Sequence, residues 1–538
     1  MSYSKILGTE TEFRLDSPTA REYNLKYLEE WELPETVVRS AVALSGDFIL
    51  GDLPKGRGKL IETITNDELS RNERFGETLA SLKSKFPMYE HAVKEHRERS
   101  DEPQFMHERQ RFGFTGGYLG SGFRIYRDGA HIEVSTPECR TPLDLVRWEK
   151  AGERLAERGR IDAEIKSGHK IIVSKDTSDG NGNSWGAHEN YLVNGSLFSK
   201  LIGTGGYRFR CHEQFIWASY LLSRIIFCGS GKFGSEVSHK RNKKFLISQR
   251  AEFVTEELSH NTMFGRGIIN SRDIPYVDEE FGHRLHVIIG DANMSEVAIY
   301  LKTGTALIML MMLEDGWFLK NQFPVFLSPL SNINFLANDL TCRNCQDVSI
   351  GGITKQMSAL DVSMFFLDSA SKWYVEKLSG NPEYFWINGV LETLCGVCDK
   401  LASGDLESLF GTLDWVTKYI LCSRDLDRSS LSWGDLRSGS SPADRLVGIC
   451  GAYHRLDESG IYNRLLKRGR ILRLLEDEDI SYACLNPPNN TRAFDRSELL
   501  RRYAGEVDFV NWYMVSVQSH EKAIRLGSPF LGGSDGIS

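Results

Sequence analysis

The 538-residue sequence has no long hydrophobic run: its most apolar stretch, Ala306-Leu-Ile-Met-Leu-Met-Met-Leu313, falls well short of the ~20 residues that cross a bilayer. No membrane span is expected. The N-terminus, Met1-Ser-Tyr-Ser-Lys-Ile-Leu-Gly8, lacks the apolar core of a secretory signal, so a cytoplasmic location is expected. Cysteine is scarce, with 10 residues, far below the density of a disulfide scaffold, and free thiols are expected in a reducing compartment. Positive charge is in deficit: 65 Lys and Arg against 73 Asp and Glu leave a net charge of -8. That balance argues against capture of a nucleic-acid backbone as the main task. The H-E-x-x-H pattern of zinc peptidases is absent. Cys228-Gly-Ser-Gly-Lys-Phe-Gly234 fails the G-x-x-x-x-G-K-[ST] phosphate loop and reads as a tight turn.

What is present is ordinary globular composition, 41% hydrophobic and 26% charged, which excludes disordered, collagen-like and coiled-coil classes. The length allows roughly three domains, or one large catalytic body with an appendage. From Thr9 the chain alternates with period two, placing Glu10, Glu12 and Arg14 on one face of a strand and Thr11, Phe13 and Leu15 on the other. Further strands are expected over 122–128, 170–174 and 284–290. Helices are expected over 143–166, 213–226, 296–313, 357–378, 384–402 and 406–421. A charged insertion occupies 67–120, and a Ser/Gly-rich stretch after 430 marks a boundary. The expected organisation is a body over 1–430, a small C-terminal domain over 431–507, and an extension with a flexible tail over 508–538.

Carboxylates two apart on a strand repel each other unless a cation lies between them, and a hard divalent ion such as Mg²⁺ with nucleotide phosphates is the chemistry that resolves this. Two further clusters carry carboxylate, imidazole and amide groups near strand ends: Tyr126-Arg-Asp-Gly-Ala-His-Ile-Glu133 and Gly186-Ala-His-Glu-Asn-Tyr191. Arg224, Arg250, Arg266, Arg272 and Arg284 are candidates to face phosphate. The pairs Cys342/Cys345 and Cys395/Cys398 formally make a Cys₄ zinc set, but their separation is longer than a compact ribbon needs, and Cys395 and Cys398 fall in an apolar helical pattern where free cysteines serve as small core residues.

Taken in order and spacing, these clusters resemble the Pup ligase and Pup deamidase/depupylase family, whose members act on Pup, the prokaryotic ubiquitin-like protein. The resemblance rests on Ile6-Leu-Gly-Thr-Glu-Thr-Glu12, Ile125-Tyr-Arg-Asp-Gly-Ala-His-Ile-Glu-Val-Ser-Thr-Pro-Glu-Cys139, Asp179-Gly-Asn-Gly-Asn-Ser-Trp-Gly-Ala-His-Glu-Asn-Tyr191 and Arg284-Leu-His-Val-Ile-Ile-Gly-Asp-Ala-Asn-Met-Ser-Glu296. Leu246-Ile-Ser-Gln-Arg250, Gly267-Ile-Ile-Asn-Ser-Arg-Asp273, Gly460-Ile-Tyr-Asn-Arg-Leu465 and Asn486-Pro-Pro-Asn-Asn-Thr-Arg-Ala493 extend it.

The resemblance implies an α+β, glutamine-synthetase-like body: a curved antiparallel sheet backed by helices, with a small C-terminal domain and with ATP and Mg²⁺ on the concave face. It implies that Glu10, Glu12, Glu133, His188 and His286 gather the metals and that Arg284, Arg266 and Arg250 bind the nucleotide. Asp128 matches the family's essential aspartate, with Tyr126 beside it. Ser135-Thr-Pro-Glu-Cys139, Trp148-Glu-Lys-Ala-Gly-Glu-Arg154 and the charged insertion look like the depupylase branch, whereas Met294-Ser-Glu296 looks like the ligase. The implied reaction is hydrolysis of an amide at a glutamate side chain, either the isopeptide bond from Pup to a target lysine or the carboxamide of a C-terminal Gln, with Asp128 as nucleophile or as base. A Pup ligase working through glutamyl phosphate, a small-molecule carboxylate–amine ligase and a non-catalytic ATP-binding regulator are the alternatives. The expected partners are a Pup-like protein and its conjugates, not nucleic acid or membrane.

Three departures bear on substrate contacts. Phe13-Arg14 replaces an aromatic-glycine pair, His131-Ile-Glu-Val134 replaces H-P-E-Y, and Arg272-Asp-Ile-Pro-Tyr-Val-Asp278 replaces R-D-E-P-H-A-D.

Overall fold

The computed structural model describes residues 4–18, 32–44, 116–203, 208–236, 244–274, 276–437, 439–520 and 523–532. Most of the charged insertion expected over 67–120 therefore lies outside the described residues. The first strand, β1 (Leu7–Asp16), alternates buried and half-buried residues along its whole length, the signature of a strand with one face on a core. Its neighbours are β2 (Gly116–Tyr118), β3 (Arg124–Asp128), β4 (His131–Ser135), β5 (Ile172–Ser174) and β6 (Ala187–Val193). The parallel pair β7 (Val254–Ser259) and β8 (Arg266–Asn270) precedes the last strand of the main sheet, β9 (His283–Val287).

The main sheet runs β9-β6-β1-β4-β3-β2, with β5 on the C-terminal end of β1, and every pairing in it is antiparallel. Because paired residues share a face, register alone sorts the side chains. Glu10 lies opposite His188 and Ser135, Glu12 opposite Glu133, Tyr126 opposite Glu133, Asp128 opposite His131, and Asn190 opposite His286. All of these point to one side. Phe13, Leu15, Ile125, Ile132, Val134, Tyr191, Leu285 and Val287 point to the other and are buried in the core.

Helices cover that apolar side. They include α1 (Leu33–Leu44), α2 (Pro142–Ser167), α3 (His212–Ser223), α4 (Glu296–Glu314), α5 (Ala359–Lys377), α6 (Trp386–Ser403), α7 (Asp414–Arg428) and α8 (Ser441–Tyr453), whereas α9 (Arg492–Arg502) packs with the C-terminal strands. α2 starts where Thr141 caps the amide of Asp144 ahead of Pro142, and it stops at Gly168 in the left-handed region. α4 is apolar on all sides and wholly enclosed. Such a helix belongs in the middle of a core. It is the one described helix long and apolar enough to cross a membrane by length and composition. Its charged groups are satisfied inside: Lys302 donates to Asp291 O at 2.9 Å, and Glu296 accepts from the amides of Leu474 and Leu475.

The helix expected over 406–421 is instead broken. A short turn over Glu407–Leu409 ends at Gly411, whose φ of +79° is left-handed, and α7 begins at Asp414. The break is imposed from outside the segment. The Asp414 carboxylate accepts from the amides of Met294 and Ser295 and from Asn293, anchoring this point to the loop before α4.

One hydrophobic cluster extends from Leu7 to Cys484 and passes through residue 430, with Leu426 and Leu436 both in it. A second, smaller cluster joins Tyr118 to Leu499, Leu500, Val510, Val515, Val517 and Leu526. It seats the C-terminal sheet, β10 (Val507–Val510), β11 (Met514–Val517) and β12 (Ile524–Arg525), against the β2 edge. Glu138, just past β4, reinforces the junction by pairing with Arg492 at 2.8 Å and Arg496 at 2.7 Å. The two guanidiniums outweigh the cost of burial and hold the Glu138 carboxyl at about 2.

Candidate active site

The polar face of the sheet brings the predicted acids and imidazoles into two groups. Glu10, His188 and His286 offer one ligand atom each within 4.8 Å of one another, and so do Glu12, Asp128 and Glu133. Adjacent strands β9, β6, β1, β4 and β3 supply them, so rigid backbone sets their spacing.

In the first group, Arg284 Nη1 lies 3.2 Å from Glu10 Oε1, and His188 Nδ1 lies 3.7 Å from Glu10 Oε2. Burial pushes the Glu10 carboxyl up, but the close approach of His188 and the charges of Arg284 and His286 hold it well below the usual carboxylate range. Asn190 Oδ1 accepts from Arg284 Nη1 at 2.8 Å and from His286 Nδ1 at 3.0 Å. That contact orients the His286 ring, whose pKa burial and His188 push well below the usual value. A neutral imidazole held through Nδ1 presents Nε2 as a donor atom. The Nε2 of His188 is buried without a hydrogen-bond partner among the described residues.

In the second group, Glu12 accepts from Gly186 N at 2.8 Å and contacts His131 Nδ1 at 2.9 Å. His131 in turn packs on Trp185, with ring centroids 4.9 Å apart. Glu133 faces both Glu10 and Glu12, and burial together with these like charges raises its carboxyl well above the ordinary value. Tyr126 hydrogen-bonds Glu133, and its ring lies beneath Arg124 at 4.0 Å. Asp128, at the open end of β3, is raised by burial and by Glu12.

The donor set fits divalent cations bound through oxygen and imidazole. Three carboxylates converge at close range, one buried imidazole nitrogen has no partner, and Gly186 leaves the room this requires. A Cβ there would meet the His188 ring at 2.5 Å and Glu12 Oε1 at 2.6 Å.

Two arginines flank the carboxylates. Arg250 is fully buried, bonding Ile288 O at 2.7 Å, Ser184 Oγ at 3.2 Å and Trp185 O. Arg266 bonds Thr262 O at 2.8 Å and Ser184 O at 2.7 Å. Neither pairs with a carboxylate among the described residues. Burial and the neighbouring Arg266 lower Arg250 to about 9, and burial lowers Arg266 as well. Buried cations lacking an internal anion favour an incoming one. Beside Glu10 and Arg284 a cavity of about 90 Å³ is walled by Ile6, Leu192, Tyr276, Val277 and Trp512.

Other candidates lie elsewhere. Arg224 forms a buried pair with Glu189 at 2.7 Å on the core side of β6, because Glu189 is one residue out of phase with His188 and Asn190. Lys232 of the glycine-rich turn pairs with Glu236 at 2.7 Å and with Glu252. The sulfurs of Cys342, Cys345, Cys395 and Cys398 do not gather into a metal-capable group among the described residues, and two of the four are buried while two are exposed. Sequence reading did not single out His131 or Asn190. Both follow from period two, since each lies two positions from a singled-out residue, Glu133 or His188, on its own strand.

The family model described as Pup-ligase protein matches residues 5–516. The chain belongs to the Pup-ligase protein family. A depupylase from Acidothermus cellulolyticus is 36% identical over 419 residues, which cover 77% of this chain and 77% of that protein. The crystal structure of the complex between Pup and its ligase PafA superposes with a TM-score of 0.71 at 25% identity, covering 99% of this chain and 91% of that one. The structure of PafA in complex with ADP gives a TM-score of 0.67 at 28% identity over 81% and 92% of the two chains. These likenesses make the fold α+β and glutamine-synthetase-like, with the main sheet backed by helices.

Proposed function

We propose that the chain is an ATP- and Mg²⁺-dependent amide hydrolase acting on a Pup-like protein and its conjugates. It cleaves the isopeptide bond between the C-terminal Glu of that protein and a target lysine, or the carboxamide of a C-terminal Gln. The observation that carries this reading is the pairing of two groups of possible metal ligands on one sheet face with two buried arginines that have no carboxylate partner among the described residues. The likeness to a depupylase supports the hydrolytic direction, and the ADP bound by PafA supports the nucleotide.

In this reading Glu10, His188 and His286 hold one Mg²⁺, and Glu12 and Glu133 hold another. Bound there, the ions neutralise phosphate and developing oxyanion charge. Arg284, Arg266 and Arg250 orient the phosphates, and the cavity walled by Tyr276 and Trp512 takes the base. Asp128 acts on the scissile amide. Exposed at the open end of β3 beside Glu12 and Glu133, its carboxylate is placed to take a proton from water that attacks the carbonyl. The carbon–nitrogen bond then breaks, and the lysine amine or ammonia leaves with a proton. Tyr126 keeps Glu133 in place and is a positioning residue.

The test is incubation with ATP, Mg²⁺ and a Pup-conjugated substrate, following conjugate on a gel and ADP by a coupled assay, with Asp128→Asn as control. Conjugate loss without matching ADP is expected. Formation of conjugate from free Pup with one ADP per bond would reverse the assignment to ligase, the direction that the Met294-Ser-Glu296 motif favours.

A further inference from the structure

α7 and α8 pack side by side far along the chain from the catalytic strands, and they bring Cys422 Sγ to 4.0 Å from Cys450 Sγ. Both thiols are buried, and nothing in the proposed amide chemistry uses them. Lys418, one helical turn before Cys422, lies on the same face of α7. It is fully buried, donates to His454 Nε2 at 2.7 Å, and forms no ion pair among the described residues. The hydrogen bond from Cys422 pulls the Cys450 thiol below its ordinary range against the effect of burial, and the charge of Lys418 adds to that pull. This distinguishes Cys450 from Cys139, Cys228, Cys342 and Cys398, which burial raises.

We propose that Cys422 and Cys450 form an oxidation site, a thiol pair that a hydroperoxide closes into a disulfide that disturbs the support of Arg250. The Cys450 thiolate attacks one peroxide oxygen and the O–O bond breaks, giving the sulfenic acid and hydroxide, which takes up a proton to become water. The Cys422 sulfur then attacks the Cys450 sulfur as its S–H proton passes to the departing oxygen, the S–O bond breaks, and a second water leaves. Two electrons pass from the sulfurs to the peroxide.

Closing the gap from 4.0 Å to a bond of ~2.05 Å turns both side chains toward each other and, beyond what rotation supplies, draws α7 against α8. Lys418 moves with α7. Its partner His454 contacts Gln249 Nε2 at 3.1 Å, and Gln249 precedes Arg250, both donating their backbone N–H to Asp291, at 2.9 and 3.0 Å. The thiol pair thus reaches the buried arginine through three side chains.

The test treats the reduced full-length protein with hydrogen peroxide, alkylates the remaining thiols and maps peptides without reduction. The expected first product is a peptide linking Cys422 to Cys450, lighter by two hydrogens and removed by dithiothreitol. Cys450→Ala should abolish it, and Cys422→Ala should leave a sulfenic acid at Cys450 that dimedone traps. A pair that stays reduced while exposed Cys345 and Cys395 oxidise overturns the proposal. If the alanine variants do not fold, the Cys345→Ser/Cys395→Ser double variant, changed only at the surface, must still give the link.

ADP affinity is the second readout, expected to fall on oxidation and return on reduction. Unchanged affinity with the link formed overturns the coupling to Arg250. This readout rests on the nucleotide reading above, whereas the cross-link does not. Absence of ADP binding by the reduced protein would count against that reading and leave the cross-link result standing.

Discussion

Glu12 and Glu133 are direct partners across β1 and β4, two carboxylates facing each other on neighbouring antiparallel strands. Like charges opposed this way destabilise a sheet. The site offsets this unevenly: burial opposes the ionised form of both residues, but contacts from His131 and Gly186 favour ionised Glu12, while the charges of Glu10 and Glu12 push Glu133 toward its protonated form. A divalent cation bound here would relieve the remaining repulsion, which is the physical reason for the metal sites proposed on this face.

Asp128→Asn removes the proposed base but none of the arginines. We expect amide hydrolysis to fall by ~10²–10⁴-fold, the usual worth of a positioned acid–base group. ADP affinity, measured by calorimetry, should hold to within a few-fold. Equal loss of both would place Asp128 in nucleotide binding instead.

Gly186→Ala puts a methyl carbon against His188 and Glu12, at 2.5 and 2.6 Å from their nearest atoms. Those side chains must move. Mg²⁺ should then no longer raise the melting temperature in the presence of ADP, as it should for the parent chain, while circular dichroism stays native. A variant still stabilised by Mg²⁺ would show that the close approach is not needed for metal binding.

Among the described residues Arg266 hydrogen-bonds only carbonyls, so Arg266→Met leaves no described carboxylate stranded. Loss of a charge-assisted bond to phosphate costs about 1.5–3 kcal/mol, which corresponds to a drop in ADP affinity of roughly ten- to a hundred-fold. Thermal stability without nucleotide should be unchanged or higher. An unaltered dissociation constant would remove Arg266 from the phosphate site.

Glu138→Gln breaks a buried pair with Arg492 and Arg496 and leaves both guanidiniums uncompensated. The expected cost is about 3–5 kcal/mol in chemical denaturation. Faster hydrogen exchange should appear first over 507–525, where the C-terminal sheet rests on this junction. Uniform loss across the chain would mean that the junction is not a local seam.

The same residue sets an acid limit. Glu138 is held at about 2, below its ordinary value of 4.5. Its stabilisation is therefore complete above about 4.5, and it is lost as pH falls through about 2. Exchange over 507–525 should accelerate in that window in the parent chain. In Glu138→Gln the contribution of this group to the pH dependence should vanish.

The acids of the site were legible in the sequence because a strand alternates strictly. Glu10 and Glu12 share a face whatever else the chain does, Glu133 and His188 came from the family resemblance, and the same rule leads from Glu133 to His131 and from His188 to Asn190. Most helices were legible too, since their apolar periods are long and their caps are local: Thr141 and Pro142 start α2 and Gly168 ends it.

What the tertiary structure decided is where distant segments meet. The break at Gly411 depends on Asp414 reaching the loop at 293–295, and a 3.6-residue apolar period carries no trace of that contact. The placement of Arg224 on the core side and of Arg250 and Arg266 on the carboxylate side follows from packing, because arginine has the same composition signal in either place. Local spacing by itself determined which side chains share a face. Long-range packing, which trades the cost of burying each charge against the partner it finds, decided which faces meet and so which charges remain free to bind a ligand.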